Sequence, residues 1–179
     1  MAQQDMVDII DLKLVGYGNT KKSGDTFTCQ HGAGECTTDV MDLCTQYKLS
    51  GDINSINTGD TSKAAWPFIY CMEKAMGNPA QGQSCFESSM GNSTLTWSTV
   101  NDCVNNESVK VQTAAAEATP SDHTYVPWCL VDGTLIKHEQ LLQQYICDAY
   151  TGSKPASCSK MTVSANNEVR TPCMANEGF

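Results

Sequence analysis

Positive charge is scarce in this chain. Against 20 Asp and Glu there are only 11 Lys and Arg over 179 residues, a formal net charge of -9. Nucleic-acid backbones and anionic membrane surfaces both reward Lys and Arg, so no nucleic acid and no membrane is expected as a partner. Long apolar runs are missing too, and without about 18 consecutive apolar residues no membrane span is expected. The first residues place Asp5, Asp8 and Asp11 inside an apolar stretch, which is not the basic start and unbroken apolar core of a secretory signal. No signal peptide is therefore read in these residues, and an exported product would have its start elsewhere. The most telling absence concerns cysteine: ten are present, yet no two form a Cys-x-x-Cys pair.

What is present is cysteine spread along the whole chain, at Cys29, Cys36, Cys44, Cys71, Cys85, Cys103, Cys129, Cys147, Cys158 and Cys173. An even number, dispersed, reads as several structural disulfides in an oxidising compartment rather than one compact site. Two acceptor sequons, at Asn92 and Asn106, agree with an exported, glycosylated protein. Zinc is the competing account, since Cys29, His31, Cys36 and Cys44 are four soft ligands. Structural zinc sites present knuckles with two cysteines two to four residues apart, and none exists here, so no metal and no cofactor is expected. His31 then reads as a loop residue among glycines, and His123 and His138 have no companion pattern. Pairing of the cysteines is not legible from their spacing.

The length fits one domain, residues 1–179. Val7 to Val15 is apolar and β-branched enough to predict a strand, ended by Gly16-Tyr17-Gly18-Asn19. The cysteine cluster is expected in a Gly-rich loop running into a short helix around Val40–Tyr47. Thr58–Asp60 signals a turn, and Ser62 is a plausible N-cap for a helix through Trp66, Phe68, Ile69 and Met72, with Pro67 in its first turn. Gly77-Asn78-Pro79 stops it. Further helices are expected near Ser84 and near Thr96, the latter carrying Trp97, Val100 and Val104 as core positions. Tyr125–Val131 and Thr134–Ile136 flank Asp132-Gly133, the dipeptide favoured in a two-residue type I′ hairpin. A helix with Leu141, Leu142, Tyr145, Ile146, Ala149 and Tyr150 follows, with Gly152 expected as its cap. The tail, residues 153–179, is expected to depend on bridges for order.

One pattern joins these pieces. Cys29-Gln30-His31-Gly32-Ala33-Gly34-Glu35-Cys36, closed by Cys44, together with Tyr17-Gly18-Asn19, Tyr125-Val126-Pro127-Trp128 and the Asp-Gly hairpin, resembles the gamma-interferon-inducible lysosomal thiol reductase family. The family hallmark reads C-Q-H-G-x-x-E-C-x-x-N-x-x-x-x-C, and residues 29–44 follow it except that Asp39 replaces Asn. The resemblance runs from about Leu12 to Cys173. It implies an α/β (α+β) thioredoxin-like sheet with a helical insertion at about residues 58–118, a lysosomal or secreted setting, and reduction of disulfide-containing polypeptide substrates. In the family the catalytic C-x-x-C lies upstream of the strand carrying Tyr-Gly-Asn. The expectation is therefore an N-terminally shortened member, with the first strand and active-site helix largely missing and Met1–Ile10 matching the end of that helix.

Whether the chain is an enzyme stays open at this stage. On the first reading the full-length protein is an oxidoreductase acting on disulfides and this chain is inactive alone. On the second it is a non-catalytic, cysteine-rich module that binds polypeptides in a groove at Val126 and Pro127; Pro127 itself reads first as an edge or strand-start proline, with a cis proline that shapes the loop as the alternative. A third reading makes Cys129, where the family more usually has an aliphatic residue, a lone thiol. It is the weakest, because a strand cysteine far from a helix N-terminus lacks the usual means of lowering its pKa.

Overall fold

The computed structural model describes residues 4–54, 64–91 and 93–159. These are mostly helical, with two small antiparallel hairpins, an α+β composition. The chain divides into two compact units, Asp11–Val126 and Met1–Ile10 with Pro127–Phe179.

In the first unit, hairpin β1 (Lys21–Ser23) and β2 (Thr26–Thr28) turns at Gly24, whose φ of 59° suits a residue without Cβ. The long helix α2 (Ala33–Ser50) follows. Its start is written in the hallmark: Gly32 takes φ 96°, and Glu35, three residues on, reaches back to accept the His31 backbone N–H at 2.6 Å. Its end is Gly51, left-handed at φ 77°, donating to Tyr47 O. The hallmark is therefore not a loop leading to a short helix at Val40–Tyr47. Local Gly content misled the reading, because two glycines open the helix and only one departs from helical geometry.

Helices α3 (Trp66–Lys74), α4 (Gly82–Ser89), α5 (Trp97–Asn106) and α6 (Ser108–Ala118) complete this unit. Pro67 lies in the first turn of α3; Thr96 caps α5 by accepting from Thr99 N–H. The cap position of α3 is Ala65, with no side-chain cap hydrogen bond, not the expected Ser62, which lies outside the described residues; α6 has no counterpart in the sequence reading. Leu43, Phe68, Met72, Val100, Val111 and Ala115 are fully buried around α2. Phe68 meets the rings of Phe86 and Trp97 with centroids 6.0 and 6.5 Å away. Gly82 is a packing requirement: a Cβ there would stand 2.8 Å from Met41 Sδ and 2.9 Å from the Trp97 ring.

The strand expected over Val7–Val15 does not form. Helix α1 (Gln4–Val7) takes its first residue, and the groups that a strand would pair are spent elsewhere. Leu14 N–H donates to Asn54 O at 2.9 Å, and Leu14 O accepts from the Gln46 side chain at 3.0 Å. Leu14 and Val15 contribute to the core of the first unit as loop residues.

The second unit holds α1, the hairpin β3 (Leu130–Val131) and β4 (Thr134–Leu135), α7 (Leu142–Ala149) and α8 (Ala156–Ser159). Asp132 (φ 46°) and Gly133 (φ 76°) make the expected primed turn. The strands are shorter than read, with one further bond from Ile136 N–H to Cys129 O. Helix α7 closes at Tyr150 in extended conformation, so Gly152 is no cap. Gly152 instead lies under Tyr150, where a Cβ would meet the phenol at 2.5 Å. Ser157 donates to Asp5 through both its backbone N–H, at 2.9 Å, and its hydroxyl. Among the described residues no sheet exceeds two strands.

Candidate functional site

The hallmark cysteines are engaged in two different bridges. Cys29 joins Cys36 across the start of α2, and Cys44, eight residues deeper in the helix, joins Cys103 of α5. That division leaves no shared metal set, and among the described residues no three His, Cys, Asp or Glu side chains converge on one. Cys71 pairs with Cys85, tying α3 to α4, and Cys147 with Cys158, tying α7 to α8. Cys173 and Asn92 lie outside the described residues. Asn106 is exposed at the end of α5, its amide donating to Asp102 O at 3.0 Å.

Around the Cys29–Cys36 bridge the hallmark polar residues have defined work. Gln30 Oε1 accepts from the Asn19 side chain at 2.8 Å, so the Tyr-Gly-Asn turn and the Cys-Gln-His-Gly segment hold each other. His31 is exposed and sits 3.3 Å from the Glu35 carboxylate. Cys29 is buried at 6% exposure; Thr20 donates to its sulfur at 3.2 Å, and Asp39 Oδ2 lies 3.9 Å from it. Asp39, the one departure from the hallmark, has its carboxyl pushed up to about 7 by burial first, with the charges of Glu35 and Glu73 adding. One helical turn on, Asp42 is buried with Oδ1 meeting no hydrogen-bond partner, and it too is held well above the carboxylate range by burial, Glu73 and Asp39.

Sequence reasoning missed Thr20, Asp42 and Glu73. The spacing Glu35, Asp39, Asp42 already places three acids on one helical face, a signal hidden by starting the helix at Val40.

Val126 and Pro127 are exposed, as is Tyr125. Cys129 is the free cysteine among the described residues, and its thiol is pushed up by burial with Glu139 adding. That environment disfavours the thiolate, the form in which a cysteine acts as a nucleophile.

Fold and bridges together define a cystine-braced α+β protein with a thiol-reductase hallmark at a helix start. Residues 1–89 match the family described as gamma interferon inducible lysosomal thiol reductase (GILT). Over 169 residues, 86% of this chain and 61% of the relative, the chain is 29% identical to a gamma-interferon-inducible lysosomal thiol reductase of Carassius auratus. It is 30% identical over 158 residues to a gamma-interferon-responsive lysosomal thiol protein of Arabidopsis thaliana, covering 83% and 60%. It is 26% identical over 165 residues to a gamma-interferon-inducible lysosomal thiol reductase of Mus musculus, covering 87% and 61%. The chain is thus similar to this thiol reductase family over residues 1–89 and to its curated members over most of its own length. It spans about three fifths of the length of these curated relatives.

Proposed function

We propose that the protein serves the reduction of disulfides in polypeptide substrates, in a lysosomal or secreted setting, and that these 179 residues supply its braced frame rather than its attacking thiols. One observation carries this. The described cysteines are bonded in four bridges, the remaining Cys129 thiol is disfavoured as a thiolate, and the sequence offers no Cys-x-x-Cys pair. Disulfide exchange needs an attacking thiolate and a nearby resolving thiol, and the frame presents neither in that form. We further propose a single thioredoxin-like domain for the complete protein, with the helices between Trp66 and Ala118 as its insertion. The motif order and the hairpin after Pro127 support that reading.

The test is turnover of an insulin disulfide substrate with dithiothreitol as reductant. The chain is expected to match dithiothreitol alone, and a rate about tenfold higher would overturn the frame reading. A non-catalytic polypeptide-binding role is the second reading, favoured by the exposed Tyr125 and Val126 beside Pro127. If it holds, Val126→Asp weakens binding of reduced insulin B chain in a fluorescence anisotropy titration; unchanged affinity removes it.

A further inference from the structure

The Cys29–Cys36 bridge is set apart by what surrounds its sulfurs. Cys44 and Cys103 are fully buried, and the sulfurs of Cys147 and Cys158 face Met6 Sδ at 3.9 Å. At Cys29 two oxygen-bearing side chains converge instead, the Thr20 hydroxyl at 3.2 Å and the Asp39 carboxyl at 3.9 Å. Its partner Cys36 is partly exposed in the first turn of α2. We propose that Cys29–Cys36 is a redox-labile disulfide that small external thiols open by attack on Cys36, with Asp39 delivering a proton to the departing Cys29 sulfur.

The asymmetry of burial sets the direction of attack. An external thiolate reaches Cys36 Sγ and forms a mixed disulfide there, while the Cys29–Cys36 bond breaks and its electron pair stays on Cys29 Sγ. That sulfur takes the Asp39 proton and keeps the Thr20 hydrogen bond. A second external thiolate then attacks the external sulfur of the mixed disulfide, releasing the oxidised reagent and leaving Cys36 as a thiolate in the first turn of an 18-residue helix, where the helix dipole favours it. Two external thiols are oxidised, the bridge gains two electrons, and Asp39 recovers its proton from water.

The step requires a carboxyl that still holds its proton while thiolates are present. Asp39 faces Glu35 and Asp42 from its own helix, Glu73 from α3, and the bridge with Thr20 from the segment before α2. His31, the nearby base, is engaged with Glu35. Burial, with the acidic neighbours adding, keeps the proton on Asp39 up to about pH 7. The asparagine of the family hallmark would donate a hydrogen bond to the sulfur but has no acidic proton to release, so this function belongs to the chain's own departure from the pattern.

The proposal is independent of the frame reading, since it concerns one opening per chain and not turnover. The test exposes the purified chain to dithiothreitol between pH 5 and 8.5, traps thiols with N-ethylmaleimide, and reads each cysteine by peptide mass spectrometry. The opening of Cys29–Cys36 is expressed as a ratio to that of Cys71–Cys85 in the same tube, which cancels the thiolate concentration of the reagent. In the wild type that ratio is expected to fall about tenfold as pH rises through 7, as loss of a general acid requires. Asp39→Asn is expected to lower the ratio about tenfold at pH 5–6 and to flatten the profile, and Asp39→Glu to restore the slope. A flat wild-type profile overturns the proposal without any variant, and so does a slope that survives in Asp39→Asn.

Discussion

The two units of this chain solve the same problem with different means. Asp11–Val126 wraps its helices around α2, buries Phe68, Leu43, Met72 and Val100 completely, and ties distant helices through Cys44–Cys103. The other unit has two-residue strands, short helices, and among its described residues only Met6, Ile136, Cys147 and Ser157 buried. Among those described residues it relies on one short-range bridge and on hydrogen bonds from Ser157 to Asp5. The difference teaches that cysteine acts here in two ways. In the helical unit a bridge adds to a core that already exists, whereas in the other it takes the place of much of a core.

Removing bridges gives the widest separation. Cys44→Ala with Cys103→Ala opens a crosslink 59 residues apart, for which chain entropy alone gives about 4 kcal/mol; the 11-residue bridge, Cys147→Ala with Cys158→Ala, gives about 3 kcal/mol. Urea titrations followed by helical circular dichroism are expected to keep that order. A greater loss from the shorter bridge would break the comparison as drawn. Packing comes next: Phe68→Ala is expected to destabilise by about 3–5 kcal/mol, since the ring is fully buried between Phe86 and Trp97. A loss below 1 kcal/mol in the same titration would mean that the helical core is looser than its burial indicates.

The acidic face of α2 sharpens the comparison through pH. Folded Asp39 keeps its proton up to about 7, whereas an unfolded aspartate releases it near 3.8, so between those values the folded state binds more protons. Its stabilising contribution is complete below 3.8 and is lost as pH rises through about 7, a swing of up to about 4 kcal/mol, and Asp42 acts in the same direction. Melting temperatures are expected to fall steadily from pH 4 to 7.5 and to fall less in Asp39→Asn. A melting temperature that climbs over this range would contradict the assignment. The smallest effect is in the other unit, where Ser157→Ala removes a hydroxyl donor to the Asp5 carboxylate and is expected to cost about 1.5–3 kcal/mol, read by hydrogen exchange of the α7 and α8 amides.

How far the sequence reached depends on how local each signal is. The Asp132-Gly133 turn, the helix beginning near Thr96 and Pro67 in the first turn of its helix each rest on a few adjacent residues, and each was legible. The strand over Val7–Val15 was misread because β-branched content announces a strand only where a neighbour exists to pair with it. Here Asn54 and the Gln46 side chain take the backbone groups of Leu14. Helix α6 was missed because Ser108–Ala118 has an alanine-rich pattern with few large apolar residues to mark its inner face, although Val111 and Ala115 turn out to be buried.

By itself, then, the sequence determined the family resemblance, through the hallmark of residues 29–44 and its one departure at Asp39, along with the turns whose chemistry lies within a few residues. Only the tertiary structure decided which cysteines meet, that Asp39 and Thr20 approach Cys29, and that Glu73 acts on Asp39. The reason is physical. Caps and turns are fixed by backbone angles of neighbouring residues, whereas a disulfide or a displaced pKa depends on distance and burial, which appear only once α2 and α3 and the segment before them have packed.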